Sequence, residues 1–221
     1  DFGIFSYPNA VYVKDCFLNG ELPLWNPLNE FGIPFLAQWN TMVLYPGNFF
    51  YILLPPQWSV GVFNLLHLIF GAIGMYVLAY RITKNSIAAT IAGVAYQFNG
   101  VTLNSLMWTN NIAALGWMPW VIAGVHFMLK SFSLKSLVFA IVLCTIQILT
   151  GAPEIIGITW LIVLAIMLSE MIENKLNIYK ICSSVIIVFI GTILISLPQL
   201  LSFYQLFLNS HRYAFVGDSS W

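Results

Sequence analysis

The stretch that decides the fold is residues 85–129, NSIAATIAGVAYQFNGVTLNSLMWTNNIAALGWMPWVIAGVHFML, which contains no Asp, Glu, Lys or Arg. An uncharged run of this length is about twice the ~20 residues that one helix needs to cross a bilayer. The polar cluster Trp108-Thr109-Asn110-Asn111 divides the run. We therefore predict two spanning helices here, at 86–106 and 112–129.

The composition of the whole chain indicates the same class of protein. Of its 221 residues, 60% are hydrophobic and 7% are charged, whereas about a quarter of the residues of a soluble domain are charged. Four further apolar segments, at 59–80, 136–150, 155–169 and 181–208, are also predicted to span. We expect an all-α fold, a polytopic transmembrane helix bundle of about six spans with a structured N-terminal extracytoplasmic loop.

Charge and cysteine usage argue against several other functions. The formal net charge is zero and no basic run is present, so the chain lacks the electrostatic footprint of a nucleic-acid-binding protein. Cys16, Cys144 and Cys182 show no CxxC spacing and no pairing with histidine. Neither a zinc site nor a disulfide framework is therefore indicated.

The basic residues predict the orientation of the bundle. Cytoplasmic loops collect Lys and Arg. With six spans, the loops at one end hold six of the eight basic residues, namely Arg81, Lys84, Lys130, Lys135, Lys175 and Lys180. We therefore predict that this end is cytoplasmic and that the opening loop and Glu154 lie on the extracytoplasmic side.

Three regions follow from this arrangement. Residues 1–58 are predicted to be an extracytoplasmic loop with interfacial helices, residues 59–208 the bundle, and residues 209–221 the start of a further extracytoplasmic segment. The chain begins without Met, a basic region or a signal-like core. We therefore expect a fragment of a longer protein. If the full protein begins in the cytoplasm, an odd number of spans, most simply one, precedes Asp1.

The opening loop holds 14 aromatic residues, seven of the ten prolines and four of the eight acidic residues. Asn9 to Leu18 is predicted to form a short amphipathic helix that stops at Asn19-Gly20. The sequence GELPLWNP at 20–27 predicts a stiff, extended turn that presents Trp25 and Asn26. This turn either inserts its aromatic side chains into the membrane interface or shapes a substrate cleft.

The sequence TGAPE at 150–154 joins two predicted helices. Gly151 ends the first helix and Pro153 lies in the first turn of the next, so Glu154 stands near a helix N-terminus, where the dipole favours a carboxylate. It is either a simple helix-start carboxylate or a group that faces a wet cavity, because a charge that faces lipid is costly. We expect the cavity-facing position.

Two other acids could act at the membrane surface. Asp1 and Asp15 each have the chemistry of a general base or a metal ligand, although most single acids in loops are solvated surface groups. After the last span, His211-Arg212 offers a guanidinium that can fork onto a phosphate or snorkel to the interface.

Polar residues inside the spans have two interpretations. Five amide residues either bond between helices or line a cavity beneath the opening loop, namely Gln97, Asn99, Asn104, Asn110 and Asn111. His67 is predicted to be a hydrogen-bonding residue that faces the bundle, and His126 to be structural.

Several motifs, taken in order, resemble those of one family. They are GELPLWNP at 20–27, GIP at 32–34, YPGN at 45–48, YQFNG at 96–100, WMPW at 117–120, GAPE at 151–154, LPQ at 197–199 and SHR at 210–212. This order resembles the YfhO-like bacterial membrane proteins, which are similar to GT-C glycosyltransferases. The resemblance implies a multi-pass protein of the bacterial cytoplasmic membrane that moves a sugar from a polyprenyl-phosphate donor to a glycan, lipid or protein outside the cytoplasm.

The resemblance also implies roles for individual residues. A catalytic Asp is expected in the first outer loop, where Asp1 stands in the matching place and Asp15 is the fallback. Arg212 would steady the departing lipid phosphate, and Glu154 would orient acceptor or sugar. The residues expected to bind substrate are Trp25, Asn26, Trp39, Gln97, Asn99, His211 and Arg212. Ala152 stands where some relatives have His, which weakens a metal site, and a divalent cation is the one candidate cofactor.

A transporter or flippase is the alternative function, supported by the polar residues Gln97, Asn99 and Asn104. Such a protein would have inverted repeats or broken helices near the middle of the membrane, and the sequence shows neither clearly. A membrane scaffold without chemistry is a third hypothesis.

Overall fold

The computed structural model describes residues 2–29, 31–174 and 178–210. A short π-helix, Phe2–Ser6, leads into the α-helices, which are α1 Tyr7–Leu18, α2 Phe49–Leu53, α3 Pro56–Thr83, α4 Ser86–Gln97, α5 Gly100–Asn104, α6 Thr109–Ser131, α7 Leu134–Ile148, α8 Pro153–Asn174 and α9 Ile178–Leu208. The strand pair β1 Trp25–Asn26 and β2 Ile33–Pro34 is antiparallel. The described chain is thus mainly helical, as predicted, and the predicted extended turn forms a small hairpin.

Four helices are long and apolar enough to cross a membrane: α3, α6, α8 over Pro153–Ile172, and α9. Local signals set several of their ends. Pro56 opens α3 in the first helical turn, and α6 begins at Thr109, inside the polar cluster that divides the uncharged run. The chain therefore has the elements of a multi-pass membrane protein.

The other two predicted spans are helical, but neither is a continuous helix long enough to cross a membrane. α7 has 15 residues, which is about 22 Å along its axis and less than the ~30 Å of a bilayer core. The segment 86–106 is interrupted, because α4 ends at Gln97 and α5 starts at Gly100. The count of six spans remains a prediction.

α6 lies at the centre of the bundle and packs against α3, α7 and α8. Most of its length is buried, including Val121, Val125 and Met128. Small residues allow its close approach to α3: a Cβ on Gly116 would lie 2.9 Å from the backbone oxygen of His67. Tight backbone contact of this kind is typical of helices packed in lipid.

Charged residues meet at one end of the bundle. The carboxylate of Glu170 accepts a 2.7 Å hydrogen bond from Lys130 Nζ and lies 3.2 Å from His126 Nε2. Nearby, Arg81 lies over the ring of Phe127. Lys180 lies over the ring of Phe132, which follows the end of α6. This end of the bundle therefore holds three of the basic residues that were predicted to share a membrane face: Arg81, Lys130 and Lys180.

Candidate functional site at the loop end of the bundle

The N-terminal segment is fastened to the opposite end of the bundle by direct hydrogen bonds. Trp39 Nε1 donates to the carbonyl oxygen of Ile148 at 2.8 Å, where α7 ends. Gln199 of α9, which is almost fully buried, donates through Nε2 to the carbonyl oxygen of Leu36 at 2.8 Å. The loop is therefore held in one position relative to both helices.

The turn between α7 and α8 presses against this loop. Gly151 has φ +70°, and a Cβ at this position would overlap the carbonyl of Trp39, so only glycine fits there. The carbonyl oxygen of Gly151 accepts a 3.1 Å hydrogen bond from Asn110 Nδ2 of α6. The predicted helix stop at Gly151 and start at Pro153 are both confirmed.

A cavity of about 600 Å³ lies where the loop, this turn and the end of α9 meet. Its lining includes Gln38, Trp39, Asn40, Gly151, Phe203 and Phe207. The rings of Trp39 and Phe203 lie 5.2 Å apart and are inclined at 50°. The volume falls in the range of small-molecule sites, which is about 300–1,000 Å³.

The lining combines aromatic faces with uncommitted amides. The only side-chain donor of Trp39, its indole N–H, is bonded to the carbonyl oxygen of Ile148. The indole therefore offers the cavity a flat apolar surface. The side-chain amides of Gln38 and Asn40 make no hydrogen bond within the described ranges, and each can both donate and accept. Such a lining suits a ligand with hydroxyl groups on one edge and C–H groups on a face.

Only some of the predicted site residues are found at this cavity. Trp39 lines it. Glu154 follows Pro153, another lining residue, and its side chain is exposed in the first turn of α8. Asp1, His211 and Arg212 lie outside the described residues, although Ser210, which directly precedes the last two, lines the cavity.

Asp15 is exposed on α1, the helix that was predicted from Asn9 to Leu18 and that ends, as expected, at Asn19-Gly20. Its carboxylate has no hydrogen bond or ion pair within the part of the chain that the structure describes. It does not line the cavity. Its catalytic role stays a prediction.

The hairpin residues Trp25 and Asn26 differ in their surroundings. Trp25 is half exposed and its ring covers Gly32, while its carbonyl oxygen accepts a 2.6 Å hydrogen bond from the Tyr12 hydroxyl. Burial raises the pKa of Tyr12 to about 12. Asn26 is buried, and its Oδ1 accepts from the backbone N–H of Leu28 at 2.9 Å, so this side chain holds the turn.

Gln97 and Asn99 lie at the break between α4 and α5. Asn99 caps α5, because its Oδ1 accepts from the backbone N–H of Thr102 at 3.0 Å, and its Nδ2 donates to the carbonyl oxygen of Tyr96. The Nε2 atom of Gln97 is buried without a hydrogen-bond partner among the described residues. Neither residue lines the 600 Å³ cavity.

Five residues of the cavity belong to no site or motif predicted from the sequence, namely Gln38, Asn40, Phe203, Leu206 and Phe207. Gln38 and Asn40 flank Trp39, so the polar-aromatic triplet itself was a signal that could have identified them. Phe203 and Phe207 follow the ordinary apolar pattern of a spanning helix. Nothing in that pattern distinguishes them from residues that face lipid.

Within residues 2–29, 31–174 and 178–210, no three His, Cys, Asp or Glu side chains are placed to hold a metal ion together. Comparisons with protein-family models, with curated protein sequences and with solved structures give no match. The fold thus defines a class, a helical protein with four helices able to cross a membrane.

Proposed function

We propose that this chain is the membrane core of a GT-C-type glycosyltransferase with six spans and an extracytoplasmic loop. The observation that supports it most is the cavity of about 600 Å³ enclosed by the loop, the turn at Gly151 and the end of α9. Aromatic faces and amide groups are the side chains that fit a sugar, whose ring has apolar C–H faces and a polar edge.

In the proposed reaction, the hydroxyl oxygen of the acceptor attacks the anomeric carbon of a polyprenyl-phosphate sugar. The bond from that carbon to the phosphate oxygen breaks, and its electron pair leaves on polyprenyl phosphate. A carboxylate, Asp1 or its fallback Asp15, takes the hydroxyl proton as general base. Arg212 stabilises the departing phosphate.

The cavity residues have positioning roles in this proposal. The indole of Trp39 stacks on the face of the transferred sugar, and the amides of Gln38 and Asn40 bond its hydroxyl groups. Glu154, which follows cavity-lining Pro153, orients the acceptor. Trp25 of the hairpin, which is half exposed, offers a second indole for stacking on a sugar face.

The test is an assay of labelled polyprenyl-phosphate sugars with membranes that contain the full protein. We expect transfer with wild type, strong loss with the Asp1→Asn and Asp15→Asn double variant, and raised KM with Gln38→Ala and Asn40→Ala. Gln205→Ala, on α9 but outside this cavity, is the matched control. Transfer that survives loss of both aspartates would reject the catalytic assignment.

A transporter or flippase is the second candidate, and one observation favours it. α4 and α5 are two helical pieces separated by a break at Phe98-Asn99, and interrupted helices often form the binding sites of transporters. Liposomes with the purified protein distinguish the two functions. Movement of a lipid-linked sugar across the bilayer without covalent transfer would favour this candidate.

A further inference from the structure

A second cavity shares no lining residue with the 600 Å³ cavity. It is a groove of about 450 Å³ between α3, the turn that follows Tyr45, and α6. The residues that matter for its chemistry are Tyr45, Phe50, His67, Ile69, Phe70 and Trp117. We call it the lateral groove.

The polar side chains of the lateral groove already satisfy one another. Trp117 Nε1 donates to the Tyr45 hydroxyl at 2.7 Å, and that hydroxyl lies 2.5 Å from His67 Nε2. His67 Nδ1 lies 2.7 Å from the carbonyl oxygen of Phe63, which can only accept. Nδ1 therefore donates to that carbonyl oxygen, and the arrangement that satisfies every group has the Tyr45 hydroxyl donating to Nε2.

This chain of hydrogen bonds determines what the groove can hold. The Trp117 donor, the Tyr45 donor and both imidazole nitrogens of His67 are in use, so the groove offers ring faces and aliphatic groups. Among the described residues, no Lys or Arg lines it. A phosphate or a sugar would lose its hydration there without gaining a partner, whereas a hydrocarbon chain would lose nothing.

The rim of the lateral groove is continuous with the outer face of a spanning helix. Leu66, Ile69 and Ile73 of α3 line the groove and are 38%, 48% and 49% exposed. Because α3 is long and apolar enough to cross a membrane, these exposed side chains would face lipid. The groove thus opens sideways, toward the hydrocarbon of the bilayer.

We propose that the lateral groove binds one acyl chain of a bilayer phospholipid. The acyl chain lies along α3 between Leu66 and Ile73 and covers the rings of Tyr45 and Trp117. Its headgroup stays at the membrane surface, because the groove has no group to receive it. This lipid is distinct from the donor of the proposed transferase, and the inference does not depend on that function.

The position of Tyr45 gives the bound chain a structural effect. Tyr45 belongs to the N-terminal segment, and its hydroxyl is bonded to both α3 and α6. A chain that covers these rings removes apolar surface from contact with water or loosely packed detergent, which stabilises the joint between loop and bundle. Phospholipid binding should therefore raise the unfolding temperature of the protein.

The experiment measures phospholipid that stays with the full-length protein after extensive delipidation in detergent, together with the rise in unfolding temperature when phospholipid is returned. Ile69→Trp fills the groove with a larger side chain. Leu65→Trp is the matched control, because Leu65 is exposed on the same helix but does not line the groove. Circular dichroism verifies that both variants are helical.

We expect wild type and Leu65→Trp to retain one phospholipid and to be stabilised by its return, and Ile69→Trp to lose both effects. Equal retention by Ile69→Trp would overturn the proposal. Wild type that retains no phospholipid, or only a polyprenyl lipid, would also overturn it. The measurement on wild type alone therefore tests the proposal even if neither variant folds.

Discussion

The indole Nε1 of Trp39 donates a 2.8 Å hydrogen bond to the carbonyl oxygen of Ile148, which lies 109 residues further along the chain. This bond joins the N-terminal loop to the end of α7 and, with Gln199 bonded to the carbonyl of Leu36, fixes one wall of the 600 Å³ cavity. The loop is thus an integral part of the folded bundle.

The first prediction concerns this bond. Trp39→Phe keeps an aromatic ring beside Phe203 but removes the donor, so we expect a loss of about 1 kcal/mol in the free energy of unfolding. Trp39→Ala should lose more, because it also removes the ring contact. Thermal unfolding in detergent measures both, and equal stability of the two variants would contradict the role of the ring.

The second prediction tests the contact at Gly151. Gly151→Ala places a Cβ against the Trp39 carbonyl at φ +70°, so we expect destabilisation by roughly 1–3 kcal/mol. Gly157→Ala is the control, because Gly157 lies in α8 with no atom near its added Cβ. That substitution should be neutral or stabilising by up to about 1 kcal/mol. The order of the two melting temperatures decides the prediction.

The third prediction concerns the buried carboxylate at the other end. Glu170 is 5% exposed and contacts Lys130 and His126. Glu170→Ala leaves Lys130 and His126 without their acceptor, but their side chains are 48% and 22% exposed and remain partly hydrated. We therefore expect a loss of about 1–3 kcal/mol in the free energy of unfolding. Lys135→Met is the control, because Lys135 is exposed and forms no ion pair within the described ranges. Similar unfolding curves for both variants would contradict a structural role for the cluster.

The fourth prediction is a pH dependence of stability. The Tyr12 hydroxyl donates to the carbonyl oxygen of Trp25, and burial raises the pKa of Tyr12 from its usual 10 to about 12. A raised pKa means that the folded state keeps a proton which the unfolded state releases. The stability from this group is therefore fully present below pH 10 and is lost as the pH rises from about 10 to about 12.

The measurement compares unfolding of wild type and Tyr12→Phe at several pH values. We expect a stability difference that is constant below pH 10 and then shrinks up to pH 12. Tyr80→Phe, on α3, is the control for loss of a tyrosine hydroxyl as such, because that hydroxyl makes no hydrogen bond among the described residues. A difference for Tyr12→Phe that persists at pH 12 would contradict the assignment.

The predicted site and the observed cavity overlap only in part. Trp39 and the turn at Gly151 meet at the cavity, but Asn26 and Asn99, which the sequence suggested for substrate, hold a turn and cap a helix. Asparagine serves both purposes equally well, since its short amide can bond its own backbone or a ligand. A sequence pattern does not distinguish these uses.

The sequence by itself determined the local features of this protein. Low charge and long apolar runs specify membrane helices, and Gly20, Gly151 and the polar cluster at the start of α6 set helix ends, because each acts through its own backbone. Only the tertiary structure decided that Trp39 meets Ile148 and Phe203, and that Tyr45 bonds His67 and Trp117. These contacts join residues far apart in the chain, so they depend on how the helices pack. The apolar surfaces that drive packing are too similar along every span to specify which residues meet.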